Sequence, residues 1–263
     1  MTIRVARLPA ELNWSPRGTA VVIDVLRATT VITTALRAGA ADVVVCGEID
    51  EAVRLAETTE PRPLLCGERA CRPIPGFDLG NSPSEYTPSR MAGRRLIMTT
   101  TNGTRAVLAA RGFPRILAAS FNNLAAVVAR LSCHDEVSII CAGTDGETTE
   151  EDDLLAGAIV DSLLAVERLG GDDGVGNDRD PRRDESGLGT AASAVLRAWR
   201  DYLASGQALA DRLAESTGGR NLIAQGYQRD IDVCAELDST TAIGIIDAAG
   251  PLNFRLLTPP RHA

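Results

Sequence analysis

The 263 residues, 44% of them hydrophobic, suffice for one large domain or two modest ones with a real core. With 35 acidic against 27 basic side chains the net charge is −8, which argues against nucleic acid or an anionic membrane as the main partner. Every one of the 27 is arginine, so a Schiff-base lysine, a P-loop lysine and a lysine nucleophile are all excluded.

Along the chain, the N-terminal Met1-Thr2-Ile3-Arg4-Val5 has no signal-peptide pattern. No run of about 18 apolar residues could span a membrane. A cytoplasmic protein is expected, with its six cysteines as free thiols, since their spacings match no zinc motif. Short apolar runs predict strands at residues 3–8, 20–24, 43–46, 64–66, 96–100, 116–119 and 137–141, with helical patterns between most of them. Alternating β and α of this kind means α/β: a largely parallel sheet covered on both faces. Residues 67–87 are rich in Pro and Gly and too polar for an element, and loops that long are usually functional. A boundary is placed near residue 150, between a unit (1–150) carrying most site motifs and a C-terminal α/β part (151–263) that completes the fold. That part is expected to hold helices at 154–169, 190–204 and 207–215, a flexible polar loop at 170–189, and strands at 241–246 and 254–257.

Two stretches share one design. Val21-Val22-Ile23 ends in Asp24 and opens through Arg27, Thr29 and Thr30 into a helical pattern; Leu96-Ile97-Met98 ends in Thr99-Thr100-Thr101-Asn102-Gly103-Thr104 and does the same. A buried strand that ends in polar groups and feeds a helix collects side chains and free N–H groups at one place, which is how open α/β sheets build anion sites. Each stretch runs on to a second strand and helix, so a repeated strand–helix–strand–helix unit is expected, with both ends converging on one ligand.

Within these motifs, Asp24 can hold Mg²⁺, act as a base, or simply cap a helix paired with an arginine. Arg27 can clamp a phosphate or carboxylate with two N–H groups. Glu68-Arg69 in a Gly-led loop can position a metal, a water or a phosphate oxygen. Asn81 and Ser82, in Gly76-Phe77-Asp78-Leu79-Gly80-Asn81-Ser82-Pro83, fit ligand contact or an Asx-turn equally. Glu150-Glu151-Asp152-Asp153 opens a helix, where solvated capping is the default, yet four acids exceed what capping uses. Cys66 and Arg72 have the spacing of cysteine phosphatases, but Glu68 between them would repel phosphate. Leu26 stands where a haloacid dehalogenase phosphatase needs its second acid, and an isochorismatase-like triad needs the lysine this chain lacks. His134 sits in a polar turn before a strand, where a structural role is expected.

Together these motifs resemble the 2-phosphosulfolactate phosphatase family, known from coenzyme M biosynthesis. The resemblance lies in Val22 to Thr30, Cys66-Gly67-Glu68-Arg69, the segment from Gly76 to Pro83, Thr99 to Thr104, Cys141-Ala142-Gly143 and Glu151-Asp152, with Asp230-Ile231 and Cys234 near the C-terminus. It implies a three-layer α/β/α fold and Mg²⁺-dependent hydrolysis of a small phosphorylated anionic metabolite. On that basis Asp24, Arg27, Glu68 and Asn102 are the expected catalytic residues, Glu68 orienting or deprotonating a water. Arg69, Asn81, Ser82, Thr100, Gly103 and Thr104 are expected to bind substrate, and Asp24, Glu151 and Asp152 to hold Mg²⁺. The oligomeric state stays open, a homo-oligomer included. Two other readings use the same residues: a metal-dependent hydrolase or lyase of a small dicarboxylate, and a non-catalytic module that binds an anionic metabolite.

Overall fold

The computed structural model describes residues 1–170, 187–247 and 251–257, so most of the expected 170–189 loop lies outside the described residues. The strands are β1 (Thr2–Ala6), β2 (Thr19–Ile23), β3 (Asp42–Val45), β4 (Leu64–Arg69), β5 (Arg72–Pro73), β6 (Arg95–Thr99), β7 (Arg115–Ala119), β8 (Glu136–Cys141), β9 (Gly244–Asp247) and β10 (Asn253–Leu256). The helices are α1 (Ala28–Arg37), α2 (Ile49–Glu57), α3 (Pro88–Met91), α4 (Gly103–Ala109), α5 (Leu124–Leu131), α6 (Glu150–Gly170), α7 (Thr190–Ser205), α8 (Leu209–Glu215), α9 (Thr217–Ala224) and α10 (Gln228–Cys234).

All described strands join one sheet in the order β1-β8-β2-β7-β9-β10-β3-β6-β4-β5. It is built from two parallel blocks, β1-β8-β2-β7 and β3-β6-β4. The antiparallel strands β9 and β10 stand between them. β10 turns from one block to the other within four residues: Arg255 and Leu256 pair with β9, Asn253 and Phe254 with β3. The mostly parallel character follows from strands buried on both sides. In β2 every residue is buried, yet neighbours serve opposite faces. Val21 and Ile23 pack with Leu155, Ile159 and Trp199 on one face; Ala20 and Val22 pack with Ile32, Leu36, Ala106 and Phe254 on the other. Helices therefore cover both sides of the sheet, as expected.

The repeated unit is present and its two copies cross. β2 in the first block leads through α1 to β3 in the second; β6 in the second block leads through α4 to β7 in the first. α1 crosses with Val31, Ile32, Ala35 and Leu36 buried, one apolar stripe at helical spacing. Both crossing helices begin where their strands end, and although four strands separate β2 from β6 in the sheet, the two helix starts meet: a Cβ on Gly103 would fall 2.5 Å from the Ala28 Cβ.

The polar segment 67–87 is more regular than expected. β4 runs on to Arg69 and pairs with β5. Gly67 allows this, because a Cβ there would fall 1.9 Å from the Thr99 carbonyl oxygen of β6, and its φ of +140° suits only glycine. Helices α9 and α10 were not anticipated either. Both are short, α10 is mostly polar and α9 carries two glycines, and what holds α9 is a local cap: Ser216 Oγ accepts the Gly219 N–H at 3.0 Å.

Candidate active site

The end of β2 carries the charges. Asp24 is 8% exposed and caps α1 with one carboxylate oxygen: Ala28 N–H donates to Oδ1 at 3.0 Å. The capping reading is thus correct for half of the carboxylate. The other half is free for something else, since Oδ2 has no hydrogen-bond donor among the described residues and faces the bare Cα of Gly103, where a Cβ would fall 2.5 Å from it. The Leu26–Arg27 peptide is cis. Arg27 is buried, and its Nη1 donates to Asp230 Oδ2, its Nη2 to the Cys71 carbonyl at 3.2 Å; the guanidinium lies 4.4 Å from the centre of the Tyr227 ring.

The end of β6 is mostly occupied with itself. Thr104 Oγ1 accepts the Thr100 N–H at 2.8 Å, and Thr100 Oγ1 accepts the Thr104 N–H at 3.1 Å, a reciprocal cap over the first turn of α4. Thr99 Oγ1 accepts from Arg69 Nη2 at 2.9 Å. Two loops are tied together by Glu68, whose Oε1 accepts the Thr101 N–H at 2.7 Å and whose Oε2 accepts the Cys71 N–H at 2.8 Å. Asn102 Oδ1 accepts the Asp145 N–H at 3.3 Å.

The acids that open α6 are not the solvated cap expected by default; Glu151, Asp152 and Asp153 are all buried. Asp152 joins two strand ends, accepting the Val25 N–H at 2.9 Å and the Gly143 N–H at 3.0 Å. Asp153 pairs with Arg7 and Glu150 with Arg212. Glu151 lies against Thr149, Ser216 and Gly218, and its Oε2 is buried without a hydrogen-bond partner. Among the described residues no three His, Cys, Asp or Glu side chains are gathered into a ready-made cation site.

These acids strain against one another. Burial, then the charges of Glu68 and Glu151, push the Asp24 carboxyl from 3.8 up to about 7, although the Ala28 N–H and Arg27 pull it down. Burial and the neighbouring Asp24 and Glu151 hold Asp152 well above the ordinary carboxylate range, and burial raises Glu151. The Cys66 thiol, fully buried, is pushed up to about 12 by burial, which disfavours a thiolate near neutrality and so argues against a phosphatase-like pairing with Arg72.

Asp24, Arg27, Glu68, Asn81 and Asn102 line one inner cavity of about 40 Å³, together with Gly218 and Asn221. Glu68 and Asn102 also line an outer space of about 260 Å³, bordered by Asp145, Asn221 and Gln225.

A family model described as 2-phosphosulpholactate phosphatase matches residues 6–248. The chain belongs to this family. Proteins named probable 2-phosphosulfolactate phosphatase are similar over most of their length. The one from Thermotoga maritima is 39% identical over 221 residues, covering 84% of this chain and 85% of its own. That from Symbiobacterium thermophilum is 41% identical over 230 residues, covering 86% and 90%. One from Synechococcus sp. RCC307 is 37% identical over 251 residues, covering 94% and 96%. The family is one of phosphoric monoester hydrolases, and the two strand ends that meet at the inner cavity fall within the matched region.

Of the residues singled out in the sequence, Asp24, Arg27, Glu68, Asn81 and Asn102 share that cavity. Gly103 packs against Asp24, where a Cβ would fall 2.5 Å from Oδ2. Thr100 and Thr104 spend their hydroxyls on each other, Arg69 on Thr99 and the Glu68 carbonyl, and Ser82 on Asp230. Asp152 has both oxygens engaged by backbone N–H groups. Sequence reasoning assigned no part to Asp230 and did not single out Tyr227 or Asn221. The one available signal was the family-like Asp230-Ile231 with Cys234, which points to this helix but gives no role. Among the described residues no helix is long and apolar enough to cross a membrane.

Proposed function

We propose that this chain hydrolyses a small anionic phosphate monoester with Mg²⁺, and that 2-phosphosulfolactate, named by its relatives, is the substrate, giving sulfolactate and phosphate. The supporting observation is the inner cavity: four candidate catalytic residues from three strand ends reach one space of about 40 Å³. A space of this size takes a few water-sized atoms, one of which needs roughly 10–15 Å³, and so suits the oxygens of a phosphoryl group. The outer space of about 260 Å³ would take the remainder of a small substrate.

Phosphoryl transfer demands positioning and charge neutralisation more than covalent help. Arg27 offers the phosphoryl oxygens those N–H groups not already given to Asp230 and Cys71. Asn102 offers its amide N–H₂, since its carbonyl oxygen is held by Asp145. Glu68 orients the attacking water, each of its oxygens keeping a lone pair beyond the N–H it accepts.

The site also suits a divalent cation. Among the described residues Asp24 Oδ2 and Glu151 Oε2 lack donors, and burial raises both carboxyls, with the charges of Glu68 and Glu151 raising Asp24 further. Asp24 and Glu151 would hold Mg²⁺, a hard ion that prefers carboxylate oxygen, while Asp152 adds its charge from the second rank. Bound there, Mg²⁺ would neutralise charge on the phosphoryl group. Free thiols at all six cysteines suit a reducing, cytoplasmic setting.

The test is phosphate release from 2-phosphosulfolactate and from a generic aryl phosphate, before and after chelation. The expected result is turnover that chelation abolishes and Mg²⁺ restores. No release from any monoester would overturn the phosphatase reading; full turnover after exhaustive chelation would remove the metal from it.

A further inference from the structure

Arg27 does not stand alone in the cavity wall. Helix α10 and the residue before it close over it: Asp230 of the helix, whose Oδ2 accepts from Nη1, and Tyr227, whose ring carries the guanidinium 4.4 Å from its centre. Asp230 and Arg27 are each 3% exposed, so the pair is shielded from solvent and water screens its charges little. Asp230 is itself held from the far side. Ser82 Oγ donates to Oδ1 at 2.6 Å, and Ser84 Oγ lies 2.9 Å behind Ser82 Oγ. With the Ser82 proton committed to the carboxylate, Ser84 is the donor to Ser82, and the result is a chain from Ser84 through Ser82 and Asp230 to Arg27.

An arginine that binds phosphate in a site screened from water risks binding it too well. Phosphate is both the transferred group and a product, and an interaction equally strong before and after reaction slows release without helping the chemical step. A carboxylate already bonded to the guanidinium competes for its charge. A hydroxyl donating to that carboxylate weakens the competition.

We infer that Asp230 is the counter-ion that sets how tightly Arg27 holds phosphate, and that the Ser84–Ser82 hydroxyl chain sets the strength of Asp230. This makes Asp230 a positioning residue, acting through Arg27. The inference rests on the phosphatase reading only for the identity of the anion.

The experiment is calorimetric titration of the Mg²⁺-loaded protein with inorganic phosphate. Asp230→Asn keeps the shape but removes the charge, so the phosphate Kd falls about tenfold, the size of one charge-assisted hydrogen bond's advantage. Steady-state kcat and KM fall together, as product leaves more slowly. Ser82→Ala has the opposite sign: Asp230 loses a donor, grips Arg27 harder, and the phosphate Kd rises. In an Arg27→Met background the Asp230 substitution changes the Kd no further. A merely structural Asp230 would loosen the site, and the neutral variant would bind phosphate more weakly. Unchanged or weaker binding in Asp230→Asn overturns the inference. If that variant does not fold, Asp230→Ser, which leaves room for water beside Arg27, carries the same expected sign. If neither folds, unchanged binding in Ser82→Ala overturns it. Binding requires no turnover, so wild-type protein that binds phosphate yet hydrolyses no monoester sinks the phosphatase reading while the Asp230 question is still decided. Wild-type protein that does not bind phosphate removes the inference.

Discussion

The two strand ends that meet at the cavity have the same architecture and unequal chemistry. After β2 the chain presents a carboxylate and a guanidinium, both buried, and each leaves some hydrogen-bonding capacity unspent. After β6 it presents hydroxyls that close on each other, a bare glycine and one amide. The fold needs the second end to be quiet. Gly103 must come within touching distance of Asp24 and of Ala28, whose Cβ would lie 2.5 Å from a Cβ at position 103. A rigidly self-capped turn can be placed that close without adding charge. The repeat therefore supplies symmetry of position, and the substitution of residues within it separates chemistry from shape.

If that division holds, the largest effect belongs to the charged end. Arg27→Lys should lower kcat/KM about 100-fold, because an ammonium cannot supply the forked contact. Arg27→Ala should cost more in activity and also in stability. Arg27 is buried against Asp230, not on an open surface, so its removal strands a buried charge at a cost of about 3–5 kcal/mol. Denaturant melts of the two variants separate the two losses. An Arg27→Lys enzyme with unaltered kcat/KM would place the chemistry elsewhere.

The next effect is a pH dependence confined to the same end. The Asp24 carboxyl is raised in the folded protein from 3.8 to about 7, so folded protein holds this proton more firmly than unfolded protein. Its contribution to stability is complete below about pH 4 and is lost as pH rises through about 7. In chelated protein, Tm should therefore fall across this window relative to Asp24→Asn, which lacks the group. Mg²⁺ should flatten the difference, because a cation stabilises the ionised carboxylates. A wild-type Tm that rises with pH relative to Asp24→Asn would contradict both the sign and the cause.

At the quiet end the effects should be small. Asn102→Ala should lower kcat/KM about tenfold, since a neutral donor is worth less than a charged one. Cys66→Ser, on the strand beside β6, should change activity less than about twofold, because burial keeps its thiol protonated. If Asn102→Ala proves as damaging as Arg27→Lys, the two ends share the chemistry equally and the division fails.

Much of the fold was legible because it rests on periodicity. Short apolar runs such as Val21 to Ile23 and Leu96 to Met98 are strands, and the helix after each begins at its polar break. The crossing of the two units was not legible, since it depends on β10 splitting its four residues between two blocks. Nor were α9 and α10, whose stability comes from the Ser216 cap and from packing of Leu222, Ile231 and Cys234 rather than from a strong apolar stripe. In the site, residue types announced themselves wherever acid, arginine or amide followed an apolar strand. Their partners did not. That Asp230 reaches Arg27 across 203 positions, or that Asp152 accepts N–H groups from residues 25 and 143, is set by tertiary packing and leaves no local pattern. Clustering of acids at the start of α6 was visible; that three of them are buried was not, because a charge run by itself suggests a wet surface.

The most direct measurement is a crystal structure of the protein with Mg²⁺ and a phosphate analogue such as tungstate. The anion is expected in the inner cavity, within hydrogen-bond reach of both the Arg27 guanidinium and the Asn102 amide, with the cation on Asp24 and Glu151. An anion bound away from either residue, at full occupancy and with Arg27 still paired to Asp230, would contradict convergence of the two strand ends on one phosphoryl site.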